Sequence, residues 1–188
     1  ISFSVTGTII LTLGHVVLYK ELVISGPGPN RLILSGNYTS RIFYNESNVS
    51  MSGLTITKGR DSEGGGIYND GDGVINLDDI IFSDNATTQS ENDGGGLRNN
   101  GRATLSNVAF VNNSSVGGGG MGNWGTAELI NVTFSGNSSD WGVGALWNWG
   151  YLTLTNVTIT ENINGGLDGA YNVNIKNSII AGNTNYDC

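Results

Sequence analysis

The amino-acid sequence predicts an all-β fold, a parallel β-helix in which short strands wind into stacked coils. Two repeated motifs and an alternation of apolar and polar residues support this prediction. The first motif, Gly-Gly-Gly-Ile-Tyr-Asn at 64–69, returns in related form at 94–99, 118–123 and 143–148. The second, Phe-x-x-Asn, follows at 82–85, 110–113 and 134–137, and with Ile for Phe at 159–162 and 180–183. Self-similarity at a period of about 20 to 50 residues is typical of stacked repeats.

The segment 150–162 shows how one coil is built. Leu152 and Leu154 alternate with threonines, and after Asn156 the alternation resumes with Val157 and Ile159. Alternation with a period of two and β-branched residues predicts strands with one buried face. Each run is too short for a helix, so we expect bends at Asn156 and at the asparagine of the second motif. The glycine-rich motif leads into a third short strand.

Asparagines recur at equivalent places in successive coils. Two columns share the spacings 28, 24, 25 and 21. Parallel strands lie about 4.8 Å apart, so stacked asparagines would form ladders of amide hydrogen bonds that set the register. The three columns are Asn107, Asn131, Asn156 and Asn177, with Asp79 before them; Asn85, Asn113, Asn137, Asn162 and Asn183; and Asn69, Asn99, Asn123 and Asn148.

The chain is predicted to be one domain over residues 1–188. Residues 1–59 are assigned to irregular starting coils, 60–183 to regular repeats, and 184–188 to a tail of a chain that we expect to be truncated from a longer protein. The glycine triplets precede inward-pointing residues. They predict either backbone with positive φ or a corner where coils approach too closely for a Cβ atom.

The composition excludes several classes of partner. The formal net charge is −8 with only eight Lys and Arg residues, so nucleic acid and anionic membrane surfaces are disfavoured. No apolar run approaches the roughly 20 residues of a transmembrane helix. The single cysteine, Cys188, cannot form an internal disulfide. No motif calls for a cofactor: the glycine triplets lack the Lys-Ser/Thr and the following helix of a phosphate-binding loop.

The two motifs resemble those of known bacterial surface proteins. The pairing of the glycine-rich motif with Phe-x-x-Asn resembles the polymorphic outer-membrane-protein repeat. The longer pattern, with Leu-Thr-Leu-Thr-Asn-x-Thr-Ile-x-x-Asn, resembles repeats of large secreted proteins from environmental bacteria. The resemblance covers residues 60–183, although Gly replaces Ala in three copies and Ile replaces Phe in the last two. It implies a right-handed parallel β-helix, extracellular or cell-surface localisation, and adhesion.

Clustered aromatic residues provide the candidate binding site. Trp124 and Trp149 each follow a column asparagine and precede a glycine, so they are expected to stack on one face. Such a pair would form a platform for a glycan or a protein, or would shield a wide corner of the coil from water. The full candidate set is Trp124, Trp141, Trp147, Trp149 and Tyr151.

The enzyme alternative requires paired carboxylates, because hydrolases that cleave polysaccharides use them across a groove. Asp78, Asp79 and Asp84 are candidates, but their alignment places the first on an outward strand position and the second at a corner. His15, the only histidine, lies in the irregular first coils. A lyase would need carboxylates that hold Ca²⁺ beside a basic residue. Arg98 and Arg102 lie near Asp93, with no further aligned carboxylate.

Three minor sites remain open. Asp70 and Asp72 could hold Ca²⁺ weakly. Nine Asn-x-Ser/Thr sequons occur, of which Asn37, Asn45 and Asn48 lie outside the columns and are the glycosylation candidates. Threonine-bearing faces suggest ice binding, but the threonines do not form a regular array.

The predicted function is therefore structural or adhesive. We expect a secreted or surface-displayed β-helix with no catalytic site; the main alternative is a carbohydrate-active or glycan-binding β-helix. The strands 174–180 and 1–5 carry little charge and leave coil ends without a cover, so homo-oligomers or filaments stacked end to end are also expected.

Overall fold

The computed structural model describes residues 1–88, 94–169 and 172–188, and every regular element in them is a β-strand. In chain order these are β1 Gly7–Ile10, β2 Val16–Leu18, β3 Leu22–Ser25, β4 Leu32–Ser35, β5 Phe43–Asn45, β6 Asn48–Thr57, β7 Arg60–Asp61, β8 Ile67–Asn69, β9 Val74–Ser83, β10 Ala86–Thr87, β11 Leu97–Asn99, β12 Arg102–Val111, β13 Ser114–Ser115, β14 Met121–Asn123, β15 Thr126–Ile130, β16 Thr133–Ser135, β17 Ser138–Ser139, β18 Leu146–Asn148, β19 Tyr151–Thr155, β20 Thr158–Thr160, β21 Leu167–Asp168, β22 Val173–Lys176 and β23 Ile179–Ile180.

The strands pair in parallel and form three sheets along the stack of coils. Within the described residues, sheet A has 12 strands, sheet B has seven and sheet C has four. Sheet B runs in the order β2-β5-β8-β11-β14-β18-β21, which defines coils 1 to 7. Each coil passes from sheet B to sheet A, which bends once, and then towards sheet C. The predicted parallel β-solenoid is confirmed; sheet C, built of two-residue strands, was not predicted.

In sheet B, the register of the predicted repeats extends two coils earlier than the sequence suggested, because Val16 of β2 also pairs with Phe43 of β5. Ile67, Leu97, Met121 and Leu146 occupy equivalent positions in consecutive strands of sheet B. Phe43 pairs with Ile67 in the same register, although it lies in the segment assigned to irregular starting coils. No glycine triplet precedes Phe43, and that is why the motif comparison missed this coil.

The core lies inside the coils and consists of stacked apolar side chains. Phe82, Phe110 and Phe134, from the second motif, are fully buried. Their rings stack at centroid distances of 4.8 and 4.6 Å, close to the spacing of the coils. Ile159 continues the stack in the next coil. Each fully buried phenylalanine stabilises the fold by about 1.5–3 kcal/mol relative to an exposed one.

Single residues with positive φ make the bends. The column that begins at Asp79 bends sheet A, with φ between 49° and 56° at each member. Asparagine tolerates this left-handed region better than most residues, which accounts for its recurrence. A second such column precedes the buried asparagines and was not predicted, because its residue types vary: Lys58, Asp84, Asn112, Gly136, Glu161 and Gly182.

Most residues of the glycine triplets are required by close packing of adjacent coils. A Cβ atom on Gly119 would collide with the carbonyl oxygens of Gly144 and Ser138. Only Gly64 among the described triplet residues has positive φ, at 55°. Of the two expected reasons for glycine, the close approach therefore applies at most positions.

The two ends of the described solenoid differ. At the N-terminal end, an apolar cavity of about 230 Å³ opens between the first coils, and Leu13, two residues after the lining residue Leu11, is 99% exposed. At the C-terminal end, the carbonyls of Tyr186 and Asp187 accept hydrogen bonds from the backbone of Gly166 and Leu167. The tail 184–188 therefore begins a further pairing with sheet B, whereas most residues of β22 and β23 in the last coil of sheet A are exposed.

Candidate functional site

Two buried asparagine ladders fix the register of the corners on either side of sheet A. In one ladder, the Nδ2 atoms of Asn69, Asn99 and Asn123 each donate to the Oδ1 atom of the next asparagine at 2.7 Å, ending at Asn148. In the other, the corresponding distances from Asn85 to Asn183 lie between 2.8 and 3.0 Å. The asparagines of both ladders are fully or almost fully buried up to coil 6.

Asn45 belongs to the first ladder, so its assignment outside the columns is wrong. Its Nδ2 atom donates to Oδ1 of Asn69 at 2.7 Å, and the side chain is completely buried. A buried, hydrogen-bonded amide cannot accept a glycan, which removes Asn45 from the glycosylation candidates. Asn37 and Asn48 are exposed and stay predictions.

The column Asn107, Asn131, Asn156 and Asn177 is exposed, in contrast to the two buried ladders. Asn131 and Asn156 donate to the preceding asparagine at longer distances, 3.3 and 3.2 Å. Asn107 donates to Asp78 rather than to Asp79. These residues form the bend through their backbone conformation, and their side chains add little because water competes for exposed hydrogen bonds.

Aromatic side chains line the outer face of sheet B. Tyr44 and Tyr68 stack with ring centroids 5.0 Å apart, and the guanidinium of Arg41 lies over both rings. Arg41 forms a salt bridge with Asp61 at 3.4 Å and donates to the carbonyl of Gly64 at 3.0 Å. This cluster therefore supports the loop before β8.

Burial dominates the electrostatics of this cluster. It raises the pKa of the Tyr44 and Tyr68 hydroxyls, and the nearby carboxylates of Asp70 and Glu63 act in the same direction. Both hydroxyls are therefore neutral at physiological pH. Burial also lowers the pKa of Arg41, against the attraction of Asp61.

Three tryptophans continue the aromatic face in coils 5 and 6, and we call Trp124, Trp147 and Trp149 the tryptophan cluster. The expected direct stack of Trp124 on Trp149 does not form. Trp147 lies between them, with centroid distances of 6.3 and 6.2 Å and ring planes tilted by 60° and 50°. The reason is the register: Trp147 points outward from sheet B beside Gly122, and the missing side chain of Gly122 makes room for the ring of Trp124.

The three rings of the tryptophan cluster differ in accessibility. The guanidinium of Arg98 lies 3.7 Å from the ring centroid of Trp124 and covers one face of that indole. Trp147 is half-buried, whereas Trp149 is 53% exposed and Tyr151, two residues later, is 63% exposed. Trp141 is 89% exposed and lies in the turn between sheet C and sheet B, outside the ring contacts of the cluster.

A polar groove adjoins the tryptophan cluster at the corner between sheets B and A, and we call it the corner groove. Its volume is about 430 Å³. It is lined by Gly71, Asp72, Gly73, Val74, Asn100, Gly101, Arg102, Gly125 and Thr126. Trp124 directly precedes Gly125, so the aromatic cluster and the groove are adjacent along the chain. Sequence reasoning missed the groove because its walls come from three different coils.

The structure adds no support for the catalytic alternatives. Asp78 and Asp79 are exposed neighbours in β9, Asp84 is exposed directly after this strand, and His15 contacts only the ring of Tyr44 among the described aromatic pairs. Asp93 lies outside the described residues, so the proposed lyase arrangement with Arg98 and Arg102 is not described. Within residues 1–88, 94–169 and 172–188, no group of three or more His, Cys, Asp or Glu side chains could hold a metal, and weak Ca²⁺ binding by Asp70 and Asp72 alone stays a prediction.

Comparisons with protein-family models, with curated proteins and with solved structures found no match. The resemblance to bacterial surface repeats therefore rests on the motifs alone. In the part of the chain that the structure describes, no helix has the length and apolar character needed to span a membrane.

Proposed function

We propose that this chain is a secreted or surface-displayed, non-catalytic β-helix that adheres to glycans through the tryptophan cluster. The observation that carries the proposal is the exposed indole of Trp149, held beside Trp147 and Trp124 at a rigid corner. Apolar faces of sugar rings bind to aromatic faces, because their C–H groups meet the negative face of the ring. A glycan that stacks on Trp149 would bury an aromatic surface that is otherwise in contact with water.

The scaffold supports this role. The ladder amides of Asn123 and Asn148 lie one residue before Trp124 and Trp149 and are fixed by hydrogen bonds to each other. The backbone N–H groups of both tryptophans pair with the preceding coil, at 2.8 and 2.7 Å. A rigid platform loses little conformational entropy on binding, which favours adhesion by a small patch.

Binding to immobilised polysaccharides, with release of soluble products measured in parallel, tests the proposal. We expect Trp149→Ala to abolish retention while leaving the thermal midpoint nearly unchanged, because the side chain is half exposed. Trp141→Ala is the matched control, since it removes a more exposed indole outside the cluster. Equal retention of the two variants would contradict the proposal, and product release by the wild-type chain would favour the carbohydrate-active alternative.

Assembly through the coil ends is a second proposal, supported by the apolar cavity at the N-terminal end. The cavity is lined by apolar side chains that include Phe3, Ile9 and Leu11. At the opposite end, the last coil exposes Ile175, which continues the column of the buried Leu154. Head-to-tail stacking of a second copy would bury both and would not close, which leads to a filament.

A further inference from the structure

One wall of the corner groove is formed by a longer link between sheets B and A in coil 3. The link from sheet B to sheet A is two residues long in coils 2, 4, 5 and 6, but four residues long in coil 3, between Asn69 of β8 and Val74 of β9. The N–H group of Gly73 donates to the carbonyl of Asp70 at 2.9 Å, which closes these residues into a turn. The turn projects Asp72, which is exposed, at one side of the groove.

Arg102 lies in the same groove and starts the next coil of sheet A, paired with Val74. Both Asp72 and Arg102 are exposed, and within the described residues neither side chain has a hydrogen bond or an ion pair. An unpaired carboxylate and an unpaired guanidinium in one groove offer acceptors and donors to a ligand. Their formal charges cancel, whereas the chain as a whole carries −8.

Asn100 is held in place between these groups. Its Oδ1 atom accepts from Nε of Arg98 at 2.8 Å, and its Nδ2 atom donates to the hydroxyl of Tyr68 at 2.6 Å. An asparagine amide has two donors and two acceptor positions, so one of each stays available to a ligand. Because the other two are engaged, the amide is already oriented before anything binds.

The residues that follow the ladder asparagines form a line along the solenoid, from polar to aromatic. In coils 3 to 6 they are Asp70, Asn100, Trp124 and Trp149, and the backbone N–H group of each pairs with the coil before it. Three steps of about 4.8 Å give a line of about 14 Å. Gly101 and Gly125 carry no side chain beside this line, because a Cβ atom on either would collide with the carbonyl oxygen of the preceding coil.

We infer that the corner groove is the specificity site of the proposed glycan-binding surface and that it takes a neutral oligosaccharide laid along the solenoid axis. One sugar stacks on the tryptophan cluster, and the next places its hydroxyl groups against Asn100, Arg102 and Asp72. The carboxylate accepts hydroxyl protons and the guanidinium donates to hydroxyl oxygens. A neutral ligand is favoured because the charges at the groove balance. Asp72 and the adjacent Asp70 are matched by Arg102 and by Arg98, which donates to Asn100.

Calorimetric titration with hexasaccharides tests this inference, which rests on the proposed function. The probes are the neutral hexamers of glucose, mannose and xylose, the hexamer of galacturonic acid, and the hexamer of glucosamine. We expect at least one neutral hexamer to bind more tightly than both charged ones. Arg102→Gln and Asp72→Asn should each weaken that binding about tenfold or more, since hydrogen bonds to charged groups contribute about 1.5–3 kcal/mol.

Matched controls and one deletion separate the outcomes. Arg60→Gln and Asp140→Asn remove exposed charges outside the groove and should bind as the wild type does. Deletion of Gly71 and Asp72 gives coil 3 the two-residue link of its neighbours, so the fold should persist while binding weakens as in Asp72→Asn.

If Trp149→Ala loses binding but the groove variants bind like their controls, the groove inference is wrong and the proposed function stands. Tighter binding of a charged hexamer by the wild type would overturn the choice of a neutral ligand. Absence of binding to every probe would overturn both proposals.

Discussion

Removal of one buried ladder amide should destabilise the solenoid far more than removal of an exposed one. Asn137 is completely buried, and its Nδ2 atom donates to Oδ1 of Asn162 and to the carbonyl of Phe110, both at 2.9 Å. Its Oδ1 atom accepts from the backbone N–H and from Nδ2 of Asn113, both at 3.0 Å. Asn137→Ala removes these four hydrogen bonds and a longer fifth one, from Nδ2 to the carbonyl of Ser135 at 3.3 Å.

The expected loss follows from the groups that are left without partners. The backbone N–H group of Asn113 loses its acceptor, and the carbonyl of Phe110 loses a donor. A stranded buried polar group costs about 1–3 kcal/mol, so two such groups and partial relaxation give a loss of about 2–4 kcal/mol in the free energy of unfolding. The expected gap to an exposed position is therefore larger than the net worth of one hydrogen bond.

Two controls isolate the effect. Asn131→Gly removes an amide of the exposed column and keeps a residue that accepts the φ of 55°, so its loss should stay below about 1 kcal/mol. Thr158→Ala changes an outward position of β20 and should cost a similar small amount. Urea denaturation followed by circular dichroism measures all three variants. Equal midpoints for Asn137→Ala and Asn131→Gly would refute the reasoning, because the loss of a buried ladder amide would then cost no more stability than the loss of an exposed amide at a bend.

Further predictions concern a bend, a carboxylate and an end of the solenoid. Glu161 has a φ of 59°, so Glu161→Gly should stabilise the fold by about 1 kcal/mol, seen as a higher urea midpoint; a lower midpoint would contradict this. Asp187 accepts hydrogen bonds from the backbone N–H and Nδ2 of Asn183, which lowers its pKa below the usual value of about 3.9. The stabilisation by the Asp187 carboxylate is therefore present above pH 3.9 and is lost as the pH falls through the lowered pKa. The thermal midpoints of wild type and Asp187→Asn should differ at neutral pH and converge in acid. A difference that does not change with pH would show that another interaction causes it. If copies stack end to end, Leu13→Glu should shift sedimentation of the concentrated chain to monomer, whereas a wild type that is already monomeric would refute assembly.

The parts of the fold that repeat were predictable from sequence, and the parts that depend on a single coil were not. The two repeated motifs identified the members of both buried ladders, because each motif ends in a ladder asparagine and each ladder needs the same residue in every coil. Asn45 escaped this reasoning because no glycine triplet precedes its coil. Spacing also cannot tell a buried column from an exposed one, so the weak column that contains Asn131 was given the same weight as the ladders.

The candidate site was predicted in composition but not in arrangement. Trp124 and Trp149 were identified by their position after the ladder asparagines. Trp147 was assigned to the same candidate site, but its position between Trp124 and Trp149 was not predicted. That arrangement depends on the side chain that Gly122 lacks in the neighbouring coil. A signal was available: Tyr44, Tyr68, Arg98, Gly122 and Trp147 all stand one residue before a ladder asparagine, which places them on one outer face.

Variation in coil length and the location of the site have a common explanation. Successive coils differ by several residues, yet the link between sheets B and A is held at two residues in most of them, because the buried ladder ends directly before it. Side chains on that link therefore keep one spacing, which suits a ligand with its own repeat. The link in coil 3 is two residues longer than the others, yet Asn69 keeps its place in the ladder, and its Nδ2 atom donates to Asn99. An insertion that spares the ladder can change the side chains of the groove while the platform beside it stays fixed, so recognition and folding are separable at this corner.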